Sequence, residues 1–447
     1  MLDLLIADGT LVDGQGTMAG SLGVSGGRIV SRHAKGEALP GARDTIDAGG
    51  RIVLPGVVDP HVHFYGEGIG EYSRLAVRGG VTTFIGMIRG APERPLADVI
   101  QEHRVAGLAE AVTDFAFHVV LYDREETIGQ IAALAASGCR SFKMFMAYKR
   151  RGMMVRDEFL FAAMQEIARV GGIALVHAEH GEMVDHMEQA SIGAGRVGVE
   201  YYEPSRPAEA EAAAIEVVAL AAQATGCPAY IVHLSSNAGL AAIESARRRG
   251  VPIWAETCPQ YLLMDDSALH RHGAAAKIAP PLRTPVDQRS LGTALLTGAI
   301  NTVGSDHASF SVDAKSGGGG NIFAVPFGMS GAPTLWPSMF TWALDKGVPL
   351  PILVRAMTET PARLFGLSPR KGTLSPGADA DLILVDPGER QVMDMQTLAP
   401  GVCPSPLAAM PLAGWPQVTI SRGEVVWRDG AVAGRPGRAQ FIAQEGR

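Results

Sequence analysis

The chain has 447 residues, 47% of them hydrophobic and 19% charged, and a formal net charge of -7 at pH 7. That length exceeds what a single core usually holds, so a large domain with a smaller companion is expected, and the composition excludes a disordered or fibrous chain. The charge is modest and dispersed, which excludes a basic stripe for nucleic acid or a polybasic segment for an anionic membrane and leaves a small molecule as the expected partner. The opening Met1-Leu2-Asp3-Leu4-Leu5-Ile6 lacks the cationic and long apolar regions of a secretory signal, and no apolar run approaches spanning length, so a cytoplasmic protein is expected. Cys139, Cys227, Cys258 and Cys403 are widely separated with no CxxC pair; they read as unpaired, buried thiols.

In chain order, residues 1 to about 54 alternate short apolar runs (Leu4 to Ile6, Ser21 to Val24, Arg28 to Val30, Arg51 to Val53) with Asp-Gly and Gly-Gly turn signals, a pattern of antiparallel strands. The Gly23-Val24-Ser25-Gly26-Gly27 stretch matches G-x-S-x-G formally, but a nucleophile elbow leads into a helix, whereas Arg28-Ile29-Val30 continues as strand. The middle changes rhythm: apolar runs of about five residues alternate with Ala-rich stretches of helical period, such as Pro207 to Thr225 and Leu240 to Arg249. Continuous apolar strands covered by helices imply a parallel sheet buried on both faces, and residues 55–369 suit a (β/α)8 TIM barrel, with a doubly wound open sheet as the structural alternative. Ser316 to Gly320 reads as a loop. The strand pattern returns in Ala380 to Val385, Val418 to Ile420 and Glu424 to Trp427, so segments 1–54 and 370–447 are expected to join in one composite β-sandwich, each alone having too few strands to bury a face.

Several apolar runs of the middle segment end in metal-competent residues. Val57-Val58-Asp59-Pro60-His61-Val62-His63 places two imidazoles two residues apart, on the same side of a strand. Gly172 to His177, Ala229 to His233 and Ile300 to Asp306 end likewise. One histidine after one strand is ordinarily a satisfied core residue; the recurrence favours a shared site, because the strands of a barrel converge on one mouth and these nitrogens and carboxylate are ligands that zinc or a similar divalent ion takes. Cys139-Arg140-Ser141-Phe142-Lys143 ends in a lysine whose ammonium would repel a metal. Set between Phe142 and Met144-Phe145, Lys143 is expected to favour its neutral amine, which can add carbon dioxide and become an anionic carbamate. A lysine paired with a carboxylate is the plainer alternative.

His61-Val62-His63, Phe142-Lys143-Met144-Phe145-Met146-Ala147-Tyr148, His177-Ala178-Glu179, Val232-His233-Leu234-Ser235 and Gly304-Ser305-Asp306-His307 resemble, in order and spacing, the cyclic amidohydrolases of the dihydropyrimidinase and D-hydantoinase group. Glu256 to Tyr261, Pro280 to Arg283 and Lys371 to Leu382 extend the likeness over nearly the whole chain. The resemblance implies a cyclic amide substrate, two divalent ions with zinc as the default, and a homo-oligomer, tetramer or dimer. It makes His61, His63 and Asp306 ligands of one ion, His177 and His233 ligands of the other, and carboxylated Lys143 the bridge. It also makes Tyr148 the donor to the developing oxyanion, and Asp306 the proton carrier for a water whose pKa two ions lower toward neutrality.

Two positions depart from that group. Ala279 stands where Ser usually precedes Pro-Pro-Leu-Arg, and Val325-Pro326-Phe327-Gly328 replaces Ile-Pro-Asn-Gly. Both positions contact substrate in the group, so Ala279 and Phe327 imply an altered pocket and leave open hydantoin, dihydropyrimidine or another cyclic imide or ureide, with dihydroorotase-type or allantoinase-type activity as alternatives. A scaffold relative without metal and a one-metal deaminase are the remaining rivals; filled ligand positions argue against the first and Lys143 against the second. His180, His186 and His307 are expected to lie outside the metal set.

Overall fold

The computed structural model describes residues 1–91, 93–388 and 390–446. Among them, five N-terminal strands, β1 (Leu2–Asp13), β2 (Gly16–Ser25), β3 (Arg28–Ala34), β4 (Ala42–Asp47) and β5 (Ile52–Pro55), precede eight strands of the middle segment. These are β6 (Val57–Val62), β7 (Val81–Ile88), β8 (Asp114–Val120), β9 (Ser141–Phe145), β10 (Ile173–His177), β11 (Ala229–Ile231), β12 (Ile253–Thr257) and β13 (Thr302–Val303). The last strands are β14 (Leu382–Val385), β15 (Arg390–Gln391), β16 (Leu412–Ala413), β17 (Pro416–Ser421), β18 (Glu424–Arg428) and β19 (Ala431–Val432).

Strands β6 to β13 pair in sequence order, every pair parallel. The last gap is closed by a parallel bridge between Val62 and His307 and by the His63 N–H donating to the His307 carbonyl at 2.8 Å. The sheet is therefore a barrel, and the open doubly wound alternative is set aside. Strands such as β8 and β10 are buried along their whole length, as a sheet covered by helices on one face and filled on the other requires. The covering helices follow their sequence signals: Ala208–Thr225 is Ala-rich and stops at Gly226, whose φ of 69° turns the chain out of the helix.

Apart from β15 and β16, which pair with each other, the terminal strands form one sheet in the order β19-β18-β17-β14-β5-β1-β2-β3, with β4 alongside β1. It curls over a shared apolar core that includes Ile6, Leu22, Ile29, Val53, Leu382 and Ile420, and its far edge returns to the start, since the Ile29 N–H donates to Ala378. This composite sheet is tied to the base of the barrel by Lys371, whose buried ammonium meets Asp114, Asp379 and Asp381 at 2.6, 2.9 and 2.8 Å. The C-terminal tail also runs beneath the barrel: Phe115 exchanges backbone hydrogen bonds with Gln440 and Ile442. Ser316, expected in a loop, ends a short helix, Val312–Ser316, because Lys315 turns inward and its ammonium donates to the carbonyls of Ala274, Lys277 and Pro326.

Candidate active site

The strand ends of the barrel gather the predicted residues. His61 lies within β6 and His63 just beyond it; Lys143 lies in the middle of β9, His177 ends β10, and His233 and Asp306 follow β11 and β13 by two and three residues. His61 Nε2 and His63 Nε2 are 3.3 Å apart and stand 3.3 and 3.6 Å from Asp306 Oδ1. This trio is the metal-competent cluster of histidines and carboxylates among the described residues. Opposite it, His177 Nδ1 and His233 Nε2 converge at 2.9 Å, and the His61 and His233 rings stack with centroids 5.3 Å apart.

Two of these imidazoles are aimed by buried carboxylates. His61 Nδ1 lies 2.6 Å from Glu256, and burial lowers the imidazole pKa well below its usual range while raising the Glu256 pKa to about 8. The pair thus shares one proton rather than standing as two full charges, leaving the Nε2 lone pair of His61 turned to the cavity. His177 Nε2 lies 2.6 Å from Glu179. Burial opposes a charge on Glu179, yet Arg206 and His177 outweigh it and hold the carboxyl well below its usual range. That fixes the proton on Nε2 and frees Nδ1 toward His233.

Lys143 is fully buried and its Nζ has no hydrogen-bond partner. Burial pushes its pKa down to about 7, against the pull of Asp306 and Glu256. Its charge acts on all four imidazoles, His61, His63, His177 and His233, which places it among them. An orphaned amine at the centre of inward-facing nitrogens suits a group that becomes an anion, and the donor set fits divalent metal. His233 Nδ1 is also buried without a partner.

A cavity of about 240 Å³ opens above these residues and is lined by His63, Tyr148, His177, His233 and Asp306. Ala279 and Phe327 line the same space. The Tyr148 hydroxyl lies 3.4 Å from His177 Nδ1, and its ring stacks on Phe327 at 4.8 Å. Burial holds the Tyr148 phenol well above its ordinary pKa, so it remains a hydrogen-bond donor. His307 braces the site from behind, with Nε2 2.5 Å from Glu67 and Nδ1 accepting the Ala332 N–H, whereas His180 caps the helix Gly181–Gly193 and His186 is exposed.

Sequence reasoning passed over four groups that shape the site. Glu256 lies near the end of an apolar strand just as the predicted ligands do, so the same rule would have found it. Asp59 lies two residues before His61 and accepts from Ser305, Tyr72 and the His61 N–H. Arg89 and Arg151 line the cavity without any motif to announce them.

A buried histidine and carboxylate set at the mouth of a (β/α)8 barrel defines a metal-dependent hydrolase of the amidohydrolase type. Residues 52–426 match the amidohydrolase family, and the chain belongs to it. Among its relatives, a D-hydantoinase of Rhizobium radiobacter is 31% identical, with 98% of each chain covered. An L-hydantoinase of Paenarthrobacter aurescens is 33% identical, with 99% of this chain and 98% of that one covered. A solved D-hydantoinase superposes with a TM-score of 0.95 at 29% identity, covering 100% of this chain and 99% of the other. The dihydropyrimidinase from Brevibacillus agri NCHU1002 gives 0.93 at 29% identity, covering 99% and 98%.

Proposed function

We propose that this protein hydrolyses the C–N bond of a cyclic amide, a hydantoin, a dihydropyrimidine or a related cyclic imide or ureide. The observation that carries the reading is Lys143, an unpartnered buried amine set among four inward-facing histidines at the strand ends of an amidohydrolase barrel. His61, His63 and Asp306 would hold one divalent ion and His177 and His233 a second, zinc by ligand type, with carboxylated Lys143 between them. When bound, such a pair supplies an acidified water and polarises a carbonyl.

The chain's own residues do the rest. Tyr148 donates to the carbonyl oxygen as it gains negative charge, a contact worth most in the transition state. Asp306 takes the proton released as water adds to the carbonyl carbon and delivers it to the ring nitrogen as the C–N bond breaks, leaving an acid and a freed nitrogen. Glu256 and Glu179 keep His61 and His177 in their tautomers. Ala279 and Phe327 shape the wall that receives the ring. The full-length relatives named as hydantoinases support this substrate class, and dihydroorotase-type or allantoinase-type activity is the second reading, since both also open a cyclic amide.

A cytoplasmic homo-oligomer, tetramer or dimer, belongs to the same reading; the buried free thiols of Cys139 and Cys258 favour a reducing compartment, and sedimentation tests the assembly. The activity is tested by a panel of hydantoins, dihydropyrimidines, dihydroorotate, allantoin and cyclic imides, scored for ring opening with and without chelator. Ring opening that chelation abolishes is expected. A metal-replete preparation that opens none of them would overturn the proposal.

A further inference from the structure

We infer that the substrate carries a carboxylate on a short substituent and that Arg89 and Arg151 receive it at the mouth of the catalytic cavity. This rests on the cyclic-amide reading and adds to it a charge requirement that the metal ligands and Tyr148 do not impose.

The two arginines come from different strand ends, Arg89 directly after β7 and Arg151 in the turn Lys149–Arg151 that follows β9, yet both line the cavity that holds Asp306 and Tyr148. The charges of both act on the Tyr65 phenol, so they bear on one region. Neighbouring cations are already paired: Lys149 with Glu182 at 2.6 Å, Arg150 with Asp185 at 2.6 Å, Arg156 with Asp123 at 2.9 Å and Arg94 with Glu102 at 2.6 Å. Among the described residues Arg89 and Arg151 pair with no carboxylate; the one polar contact of the Arg89 guanidinium is Met153 Sδ at 3.5 Å.

Unpaired arginines on open surface are ordinary, because water satisfies them. These two differ in being laid on the aromatic lining of the cavity, Arg89 over Tyr65 at 5.6 Å and Arg151 over Phe327 at 4.2 Å. Stacking steadies each guanidinium plane while its N–H donors stay free, a form of preorganisation for a planar anion. A carboxylate matches that fork with parallel hydrogen bonds. The one carboxylate lining the cavity, Asp306, is already engaged with His61 and His63.

Besides the arginines and the histidines, much of the lining is apolar, with Phe145, Met153, Ala308 and Phe310, and Phe310 stacks on Tyr65 at 5.6 Å. A ligand that satisfies both ends therefore has a polar ring at the histidines, a short apolar spacer and an anion at the rim. The cavity, about 240 Å³, gives room for a five- or six-membered ring with such an arm.

The test compares two hydantoins of equal size, one bearing a carboxyethyl and one a carbamoylethyl group on the ring carbon, by ring-opening kinetics and by calorimetric binding to the metal-replete enzyme at low ionic strength. The carboxylate is expected to lead in kcat/KM by about tenfold or more, a margin that shrinks as salt is raised. Arg89→Gln and Arg151→Gln should each narrow that ratio, the double variant should erase it, and the Lys variants should restore part of it. Equal kcat/KM for the two compounds, or variants that slow both alike, would overturn the inference and leave the cyclic-amide reading standing. If neither ring opens but the carboxylate binds more tightly in an arginine-dependent way, the anion site stands and the cyclic-amide reading is decided by the wider panel; if binding does not discriminate either, the anion site falls.

Discussion

Lys143 supplies the sharpest test, because its burial gives a number that a surface lysine would not share. With its pKa pushed down to about 7, about a tenth of the Nζ is neutral at pH 6 and about nine-tenths at pH 8. Only the neutral amine adds carbon dioxide, losing a proton as the carbamate forms. At fixed dissolved carbon dioxide, the initial rate of carbamate formation in chelator-stripped protein should therefore rise about tenfold between those pH values and then level off. An ordinary lysine with a pKa of about 10.4 would instead rise about a hundredfold with no plateau. The assay is the initial rate at which the labelled carbamate signal appears, followed beside the activity regained when divalent metal is added. Lys143→Ala should lose metal and turnover together and recover part of both when acetate or propionate is supplied, since the vacated space admits a free bridging anion; Lys143→Arg should not recover, its permanent charge filling that space. A hundredfold rise would show that Lys143 is not the lysine its burial describes, and Lys143→Ala with two ions and full turnover in the absence of added carboxylate would refute the bridge.

Asp306→Asn should keep the fold and lower turnover by roughly 10²–10⁴-fold, the loss expected when a positioned acid/base is removed; near-normal turnover would exclude it as the proton carrier. Tyr148→Phe should depress kcat by about 3–4 kcal/mol of transition-state stabilisation, and a change confined to KM would make Tyr148 a ground-state binder. Glu256→Gln should weaken metal affinity by about 10–100-fold through His61, read by titration with a metal buffer, and unchanged affinity would show that the 2.6 Å contact does not set the imidazole. Lys371→Met leaves Asp114 to Arg422 and Asp379 to Arg370 but Asp381 without a cation, and should cost about 3–5 kcal/mol in chemical denaturation. Burial alone would lower the Lys371 pKa, but the three carboxylates raise it above the ordinary lysine value, so its stabilising share is complete below about pH 10 and is lost only as pH rises beyond that. The deficit should match at pH 7 and pH 9, and a smaller deficit at pH 9 would contradict the shift.

What could be read from the sequence, and what could not, follows one physical line. His177, His233 and Asp306 stood out because each breaks an apolar run at its end, and a barrel turns such ends into one place. The same logic reached β1, β2, β14 and β17, whose inward residues are apolar. It missed β4, whose Ala42, Arg43, Asp44, Thr45, Ile46 and Asp47 are half-buried or exposed and carry no apolar run, although they pair with β1 in register. The tail beneath the barrel was equally hidden: Phe441 and Ile442 pack there against Phe115 and Phe117 of β8, a contact that no periodicity announces. Arg89 and Arg151 look like any surface arginine until the partners of their neighbours are counted.

The backbone adds a layer that side-chain identity does not carry. Tyr148, His233 and Asp306 sit at φ of 68°, 40° and 47°, a region non-glycine residues enter at a cost of about 1–3 kcal/mol each. In a regular strand successive side chains alternate between the barrel interior and the helices, so a residue past the strand end needs a turn to aim its side chain over the mouth. The left-handed conformation provides that turn, and buried carboxylates hold it. The His233 N–H donates to Glu256 at 3.1 Å, and the Ser305 N–H and hydroxyl, just before Asp306, donate to Asp59 at 3.0 and 2.6 Å. Glu256 therefore fixes His61 through the ring and His233 through the main chain, while Asp59 spans β6 and the end of β13, where the barrel closes. Neither carboxylate need touch a metal for the placement of His61, His233 and Asp306 to depend on it, and that is why the strand ends of this barrel hold buried acids as well as histidines.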